Sequence, residues 1–241
     1  MSNLTIAIDA AVRAQFPDLA CGAFIVRGLP DANVGQFLLD TEMLQARLAA
    51  LGVTEGTVLQ HPAIAAWRRA IQSCGLKAAK FRSSAEQLVR RGVRCDEIKA
   101  PGNIVQLYCQ VSALHVAPLG GYDLETLPTS DIAVRYAQTT DNFQPLGGNN
   151  GGDMRLDNRV VVYATGENVI CWGFNVRDDC RTALRESTVN ALFTTEAAYA
   201  EQRHFGENAL AALQQYLHDG GASVTPMVWT DHLGFANIGL V

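Results

Sequence analysis

Val160-Val-Val-Tyr-Ala164 and Val169-Ile-Cys-Trp-Gly-Phe174, joined by Thr165-Gly-Glu-Asn168, read as two apolar β-type runs on either side of a tight turn. Runs of the same texture recur at 132–136 and 189–194, separated by Gly, Asn and Asp, so the late strands are expected to pair as an antiparallel sheet. Residues 4–9 and 21–27 predict two opening strands, the second closed by Gly28, Leu29 and Pro30. Helical spacing of apolar residues then dominates over 34–51 and 59–71. Ser83 followed by Glu86 marks a capped helix start, with Glu86 as capping-box partner and a stop at Gly92. A further helix is expected over 104–116. The last, over 205–218, places Leu210, Leu213 and Leu217 on one face, and 223–229 reads as a closing strand. Helices early, strands late and one terminal helix predict an α+β fold rather than a regular βαβ alternation.

The 241 residues can bury roughly 70–75% of the unfolded surface, so burial alone can hold the fold. No repeat, low-complexity tract or Pro/Ser-rich linker marks a boundary, and one domain over 1–241 is the simplest organisation. Charged residues at 18% and an apolar fraction of 48% exclude a disordered tail or a highly charged scaffold. Apolar stretches are too short for a membrane span, and the N-terminus lacks a basic segment followed by an apolar core; a cytoplasmic location is the expectation. Six cysteines without a C-x-x-C pair, and histidines without zinc-like spacing, give no reason to expect a metal or other cofactor.

Charge is unevenly spread. Between Arg68 and Lys99 stand nine basic and three acidic residues, a local net of +6 in a chain of net −5, which leaves −11 for the remainder. Such a patch, with Arg82, Arg90, Arg91 and Arg94 at its centre, suits a localised contact with phosphates. A solvated helix surface with internal ion pairs fits the same residues equally well. The Gly-rich run 147–153 lacks the Lys-Ser/Thr ending of a phosphate loop and reads as a hairpin loop. No Gly-x-Ser-x-Gly elbow exists, and no Cys stands beside a His in sequence, so a covalent nucleophile has little support. Asn175, Arg177 and Asp178, directly after an apolar strand, suit the rim of a pocket, and equally a turn with an internal ion pair.

The order of Lys80-Phe-Arg-Ser-Ser-Ala-Glu-Gln-Leu-Val-Arg-Arg91, Asn103-Ile-Val, Pro118-Leu-Gly-Gly-Tyr-Asp-Leu124, Ile132-Ala-Val-Arg135, Val161-Val-Tyr163, Cys171-Trp172 and Thr188-Val-Asn-Ala191 resembles the B3/B4 domain of the phenylalanyl-tRNA synthetase β subunit. It is most similar to free-standing proteins built from that domain, over roughly residues 60–200. The resemblance implies a three-layer sandwich of mostly antiparallel sheets with a helical layer, and an editing pocket that hydrolyses a mischarged aminoacyl-tRNA. Nothing resembles the synthetase's aminoacylation core, so tRNA charging is not expected.

Carried over by position, the family's Asp and Asn on its first pocket helix fall on Gln106 and Cys109, and the His of its Pro-Leu-His-Ala-Phe-Asp turn falls on Gly120. Gly173 matches the glycine of the second pocket segment, and Glu196 the acidic residue after the Thr-led strand that begins near Thr188. The family uses positioned water rather than a side-chain nucleophile. Gly-rich turns at Gly120–Gly121 and Gly173 are expected to supply amide donors, with Asn175 and Thr188 fixing the substrate. Loss of polar groups at 106, 109 and 120 implies a smaller, less polar substrate side chain than tyrosine. It also leaves open a non-catalytic module that binds an amino acid or a small aminoacyl compound. Aminoacylated tRNA is the expected partner.

Overall fold

Strand β1 (Asn3–Ile8) buries alternate side chains, Leu4, Ile6 and Ile8, whereas β2 (Ala20–Arg27) is buried along almost its whole length. The first pattern belongs to a sheet covered on one face and the second to a strand covered on both. The computed structural model, which describes residues 3–148 and 154–239, bears out that distinction. Helix α1 (Ala10–Gln15) links these two strands. Four helices follow: α2 (Thr41–Ala50), α3 (Pro62–Ser73), α4 (Ser84–Val93) and α5 (Gly102–His115). Then come β3 (Gly120–Asp123), β4 (Asp131–Tyr136), β5 (Val161–Thr165), β6 (Asn168–Trp172), β7 (Arg177–Asp178) and β8 (Asn190–Ala197). Helix α6 (Arg203–Asp219) precedes β9 (Ser223–Val224), β10 (Val228–Trp229) and β11 (Phe235–Gly239).

One sheet has the order β11-β1-β4-β5-β6-β7, antiparallel except for the parallel β1–β4 pair. The other runs β10-β2-β8-β3, with β9 also on β2, and is antiparallel throughout. Cys21, Ala23, Ile25, Tyr122 and Leu192 face the first sheet in a shared core with Ile6, Val134, Tyr163 and Trp172. Phe24, Val26, Ala191 and Phe193 face away from it, packing on Leu107 and Val111 of α5 and Leu210, Leu213 and Leu217 of α6. Sheet, sheet and helices therefore form the three-layer α+β sandwich. Among the described residues no helix is long and apolar enough to cross a membrane.

Several local expectations change. Of the late strands, β4 to β7 pair consecutively, but β8 joins the other sheet between β2 and β3, because a strand buried on both faces needs a central place. The helix expected over 34–51 begins only at Thr41, where the Asp40 carboxylate accepts from the Met43 amide at 2.7 Å. The helix expected over 59–71 starts at Pro62 and runs on to Ser73. The closing strand over 223–229 is split around Pro226, and α1, β3 and β11 are additional. Gly22 is fixed by close approach: a Cβ there would lie 2.6 Å from the Trp229 ring opposite it. The Gly-rich run is described only at Gly147 and Gly148; its remaining residues lie outside the described ones.

Candidate functional site

The face of β8 that looks into the gap between the sheets carries Leu192, Thr194 and Glu196, and Cys21 of β2 stands opposite Glu196 in register. Across the gap, Tyr163 of β5 pairs with Cys171 of β6, and Cys171 with Asp178 of β7. Alternation along each strand thus sends two carboxylates, two thiols and a phenol into one layer. Glu196, 4% exposed, accepts from Asn175 Nδ2 at 2.5 Å on Oε1 and from the Tyr163 hydroxyl at 3.2 Å on Oε2. The Tyr163 hydroxyl also lies 3.0 Å from Cys21 Sγ.

Asn175 owes its position to a strained turn. Gly173 and Phe174 both have positive φ, 67° and 63°, which ends β6 at Trp172. For Phe174 that is a costly backbone, held by edge-on packing against Phe16 at 5.2 Å and Trp67 at 5.5 Å.

Burial pushes the Glu196 carboxyl up to about 7, and the nearby Asp178 charge adds to this against the two hydrogen bonds. Desolvation raises Asp178 as well, opposed by Cys171, Tyr122 and Arg177. Tyr122 Oη reaches Asp178 Oδ1 only at 3.5 Å. Cys109, Gly120 and Asp178 remain partly exposed at the edge of this layer, with the Asp178 charge acting on Cys109, and Gly120 against the Tyr122 hydroxyl. Desolvation, and then the Asp178 charge, push the Cys109 thiol up to about 12, while burial does the same for Cys21.

The residues expected from the sequence divide accordingly. Glu196 and Asn175 are bonded partners; Cys109 and Gly120 reach the edge of the layer; Gly173 shapes the turn. Gly120 and Gly121 do not form a turn. They begin β3, in register with Thr194 and Phe193, and Gly120 lacks the positive φ such a turn would require. A Cβ at Gly120 would lie 2.9 Å from the Tyr122 hydroxyl oxygen, whereas one at Gly121 would meet Leu184 and Phe193 on the helical side. Gln106 lines a groove beside Asp40, Asp96, Glu97 and Gln110, apart from Glu196. Thr188 donates to Asp123 Oδ2 at 2.7 Å and borders another groove, of about 310 Å³, at the start of α5. Tyr163, Tyr122 and Cys171 lie in the stretches that carry the resemblance but were not expected as site residues, nor was Cys21, because an inward phenol or thiol on an apolar strand has the pattern of ordinary core.

The basic segment is partly consumed by internal pairing. Glu86, fully buried, takes Arg68 at 2.8 Å, Arg90 at 3.0 Å and Arg82 at 3.8 Å. Ser83 caps α4 by accepting from the Glu86 amide, but the Glu86 side chain turns to these arginines instead of closing a capping box. Arg91 donates to the Glu97 carbonyl and Arg94 pairs with Glu55, both at exposed positions.

The family model of the B3/4 domain matches residues 66–209. No curated protein matches the chain. Among solved structures, an N-terminal fragment of the phenylalanyl-tRNA synthetase β subunit from Pyrococcus horikoshii is similar at 14% identity with a TM-score of 0.46. The match covers 95% of this chain and 55% of that one, so the chain spans about half the length of the fragment.

Proposed function

We propose, since the chain belongs to the B3/4 domain family, that the layer around Glu196 receives the aminoacyl end of a tRNA and hydrolyses a mischarged ester in trans. The observation that carries this reading is a buried carboxyl fixed by Asn175 and Tyr163 and pushed up to about 7, with the partly exposed Asp178 close by. A group of that pKa is partly ionised at pH 7 and can take a proton from a water molecule as the water adds to the ester carbonyl. Collapse of the tetrahedral adduct then breaks the acyl–oxygen bond, and the departing ribose oxygen takes up a proton. No thiol is required, and those at Cys21 and Cys109 are held largely protonated by burial. The exposed Arg91 and Arg94 can meet tRNA phosphates.

Deacylation of a panel of aminoacyl-tRNAs by wild-type protein and by Glu196→Gln tests this. Turnover of at least one member is expected, with a loss of about a hundredfold in the variant. Turnover by neither protein would leave the second reading, a binding module for an amino acid or aminoacyl compound. One observation favours that reading: Gly120 and Gly121 are strand and do not form the turn that would converge two adjacent amides on an oxyanion.

A further inference from the structure

Asn175 is 8% exposed, and while its Nδ2 donates to Glu196, its Oδ1 is buried and meets no donor among the described residues. An unmatched buried carbonyl is unfavourable by about 1–3 kcal/mol and persists where something else supplies the donor. Its surroundings say what kind of donor. Each Glu196 oxygen accepts one hydrogen bond, while a carboxylate offers about four acceptor positions in all. Among the described residues Asp178 has only the long 3.5 Å approach of Tyr122 and the Cys171 thiol beside it as hydrogen-bonding neighbours. Among the described residues no Arg or His bonds to either carboxylate: the adjacent Arg177 sends Nη1 to the Leu146 carbonyl, and Arg203 pairs with Glu207. The Arg177 charge acts on Asp178 without bonding to it, so among the described residues the layer is rich in acceptors and poor in donors.

We infer that this pocket binds a primary ammonium group, seated between Glu196 and Asp178 with Asn175 Oδ1 as its third acceptor. Three N–H donors and one positive charge complement two carboxylates and an orphaned amide oxygen. The inference rests on the reading that the aminoacyl group enters this layer, and it replaces the smaller, less polar side chain suggested by positions 106, 109 and 120. The ammonium can come from the α-amino group of the acyl moiety or from a side-chain amine.

Calorimetric titration of the full chain with phenylalaninamide, N-acetylphenylalaninamide and Nα-acetyllysinamide tests the inference and separates the two sources. Binding of phenylalaninamide at least tenfold tighter than its N-acetyl form assigns the α-ammonium. Binding of Nα-acetyllysinamide at least tenfold tighter than N-acetylphenylalaninamide assigns a side-chain amine. In either case Glu196→Gln and Asp178→Asn should each weaken the amine-bearing probe about tenfold. If one variant fails to fold by circular dichroism, the other carries the test. Equal affinity for all three probes, no binding of any, or unchanged affinity in a folded variant would overturn the inference. Deacylation of tRNA without dependence on an amine would keep the hydrolase and remove the ammonium site; amine-dependent binding without deacylation would do the reverse.

Discussion

The backbone amide of Ser84 donates to the Asn175 carbonyl at 3.0 Å, tying the first turn of α4 to the turn that aims Asn175 at Glu196. Gln87, one turn on, reaches the Val176 carbonyl at 3.4 Å. The basic helix thus begins at the candidate pocket.

Arg91 and Arg94 are the appropriate residues for testing a phosphate contact, because Arg90 is half-buried against Glu86. The double variant Arg91→Glu/Arg94→Glu should bind tRNA severalfold more weakly and with a shallower dependence on salt. It gives up only the exposed Glu55 pair and one bond to a carbonyl, so its circular dichroism should not change. Filter binding over a salt series measures the effect. An unchanged slope would remove these residues from the contact.

Glu86→Ala should destabilise the fold by about 2 kcal/mol, since it leaves Arg68, Arg82 and Arg90 without their shared carboxylate. The penalty of a fully buried orphan charge would be larger, but all three arginine side chains are partly exposed. Urea titration of variant and wild type decides it. A difference below about 0.5 kcal/mol would show that the three charges relax into solvent.

Legibility from the sequence followed how far each pattern depends on neighbours in the chain. The α+β order, the Ser83 cap and the run into β6 rest on spacing within a few residues, and the structure has them. The late start of α2 was hidden because Phe37 and Leu38, at helical spacing, lie in a short turn ahead of the Asp40 cap. In the site, Glu196 and Asn175 were reached through family resemblance and a polar run after a strand. Tyr163 and Cys21 were not, since what makes them part of the site is a pairing 142 residues apart. Gly120 was placed in a turn because Pro-Leu-Gly-Gly is local turn chemistry, which β8 overrides by pairing with it.

The raised Glu196 carboxyl makes stability depend on pH in a defined direction. The folded chain holds this proton more tightly, up to about 7, than the unfolded chain does near 4.5. Its contribution is therefore full below 4.5, declines as pH rises, and is gone above about 7, for a total of about 3 kcal/mol. Glu196→Gln, which cannot ionise, should flatten the fall in unfolding free energy between pH 5 and pH 7.5, leaving the smaller same-sign contribution of Asp178. Denaturant midpoints at several pH values read this directly. A variant with the wild-type slope would mean that Glu196 is ionised in the fold well below neutrality.

Gly120→Ala adds one methyl group at 2.8 Å from Thr194 Oγ1 and 2.9 Å from the Tyr122 hydroxyl. Both are side-chain ends that can rotate and the backbone is extended, so the cost in stability should stay near 1 kcal/mol. Displacing the Tyr122 hydroxyl withdraws the group that approaches Asp178. Affinity for the ligand of the pocket should fall while that for uncharged tRNA holds. A parallel fall in both would place Gly120 in support of the fold alone.

Cys109→Ala separates water attack from a thiol nucleophile at the edge of the layer. The thiol is desolvated and pushed up to about 12, with the Asp178 charge opposing its ionisation further. Almost none of it is thiolate at neutral pH, and among the described residues no histidine acts on it. Removing it should leave deacylation within about tenfold of wild type, because the loss of an essential nucleophile reduces turnover by several orders of magnitude. Alkylation should agree, with Cys109 labelled by iodoacetamide only slowly at pH 7.5 despite its partial exposure. An inactive Cys109→Ala protein that folds and binds tRNA as wild type does, together with inactivation of wild type by stoichiometric labelling of Cys109, would establish the thiol as nucleophile and displace Glu196 from proton acceptor for water.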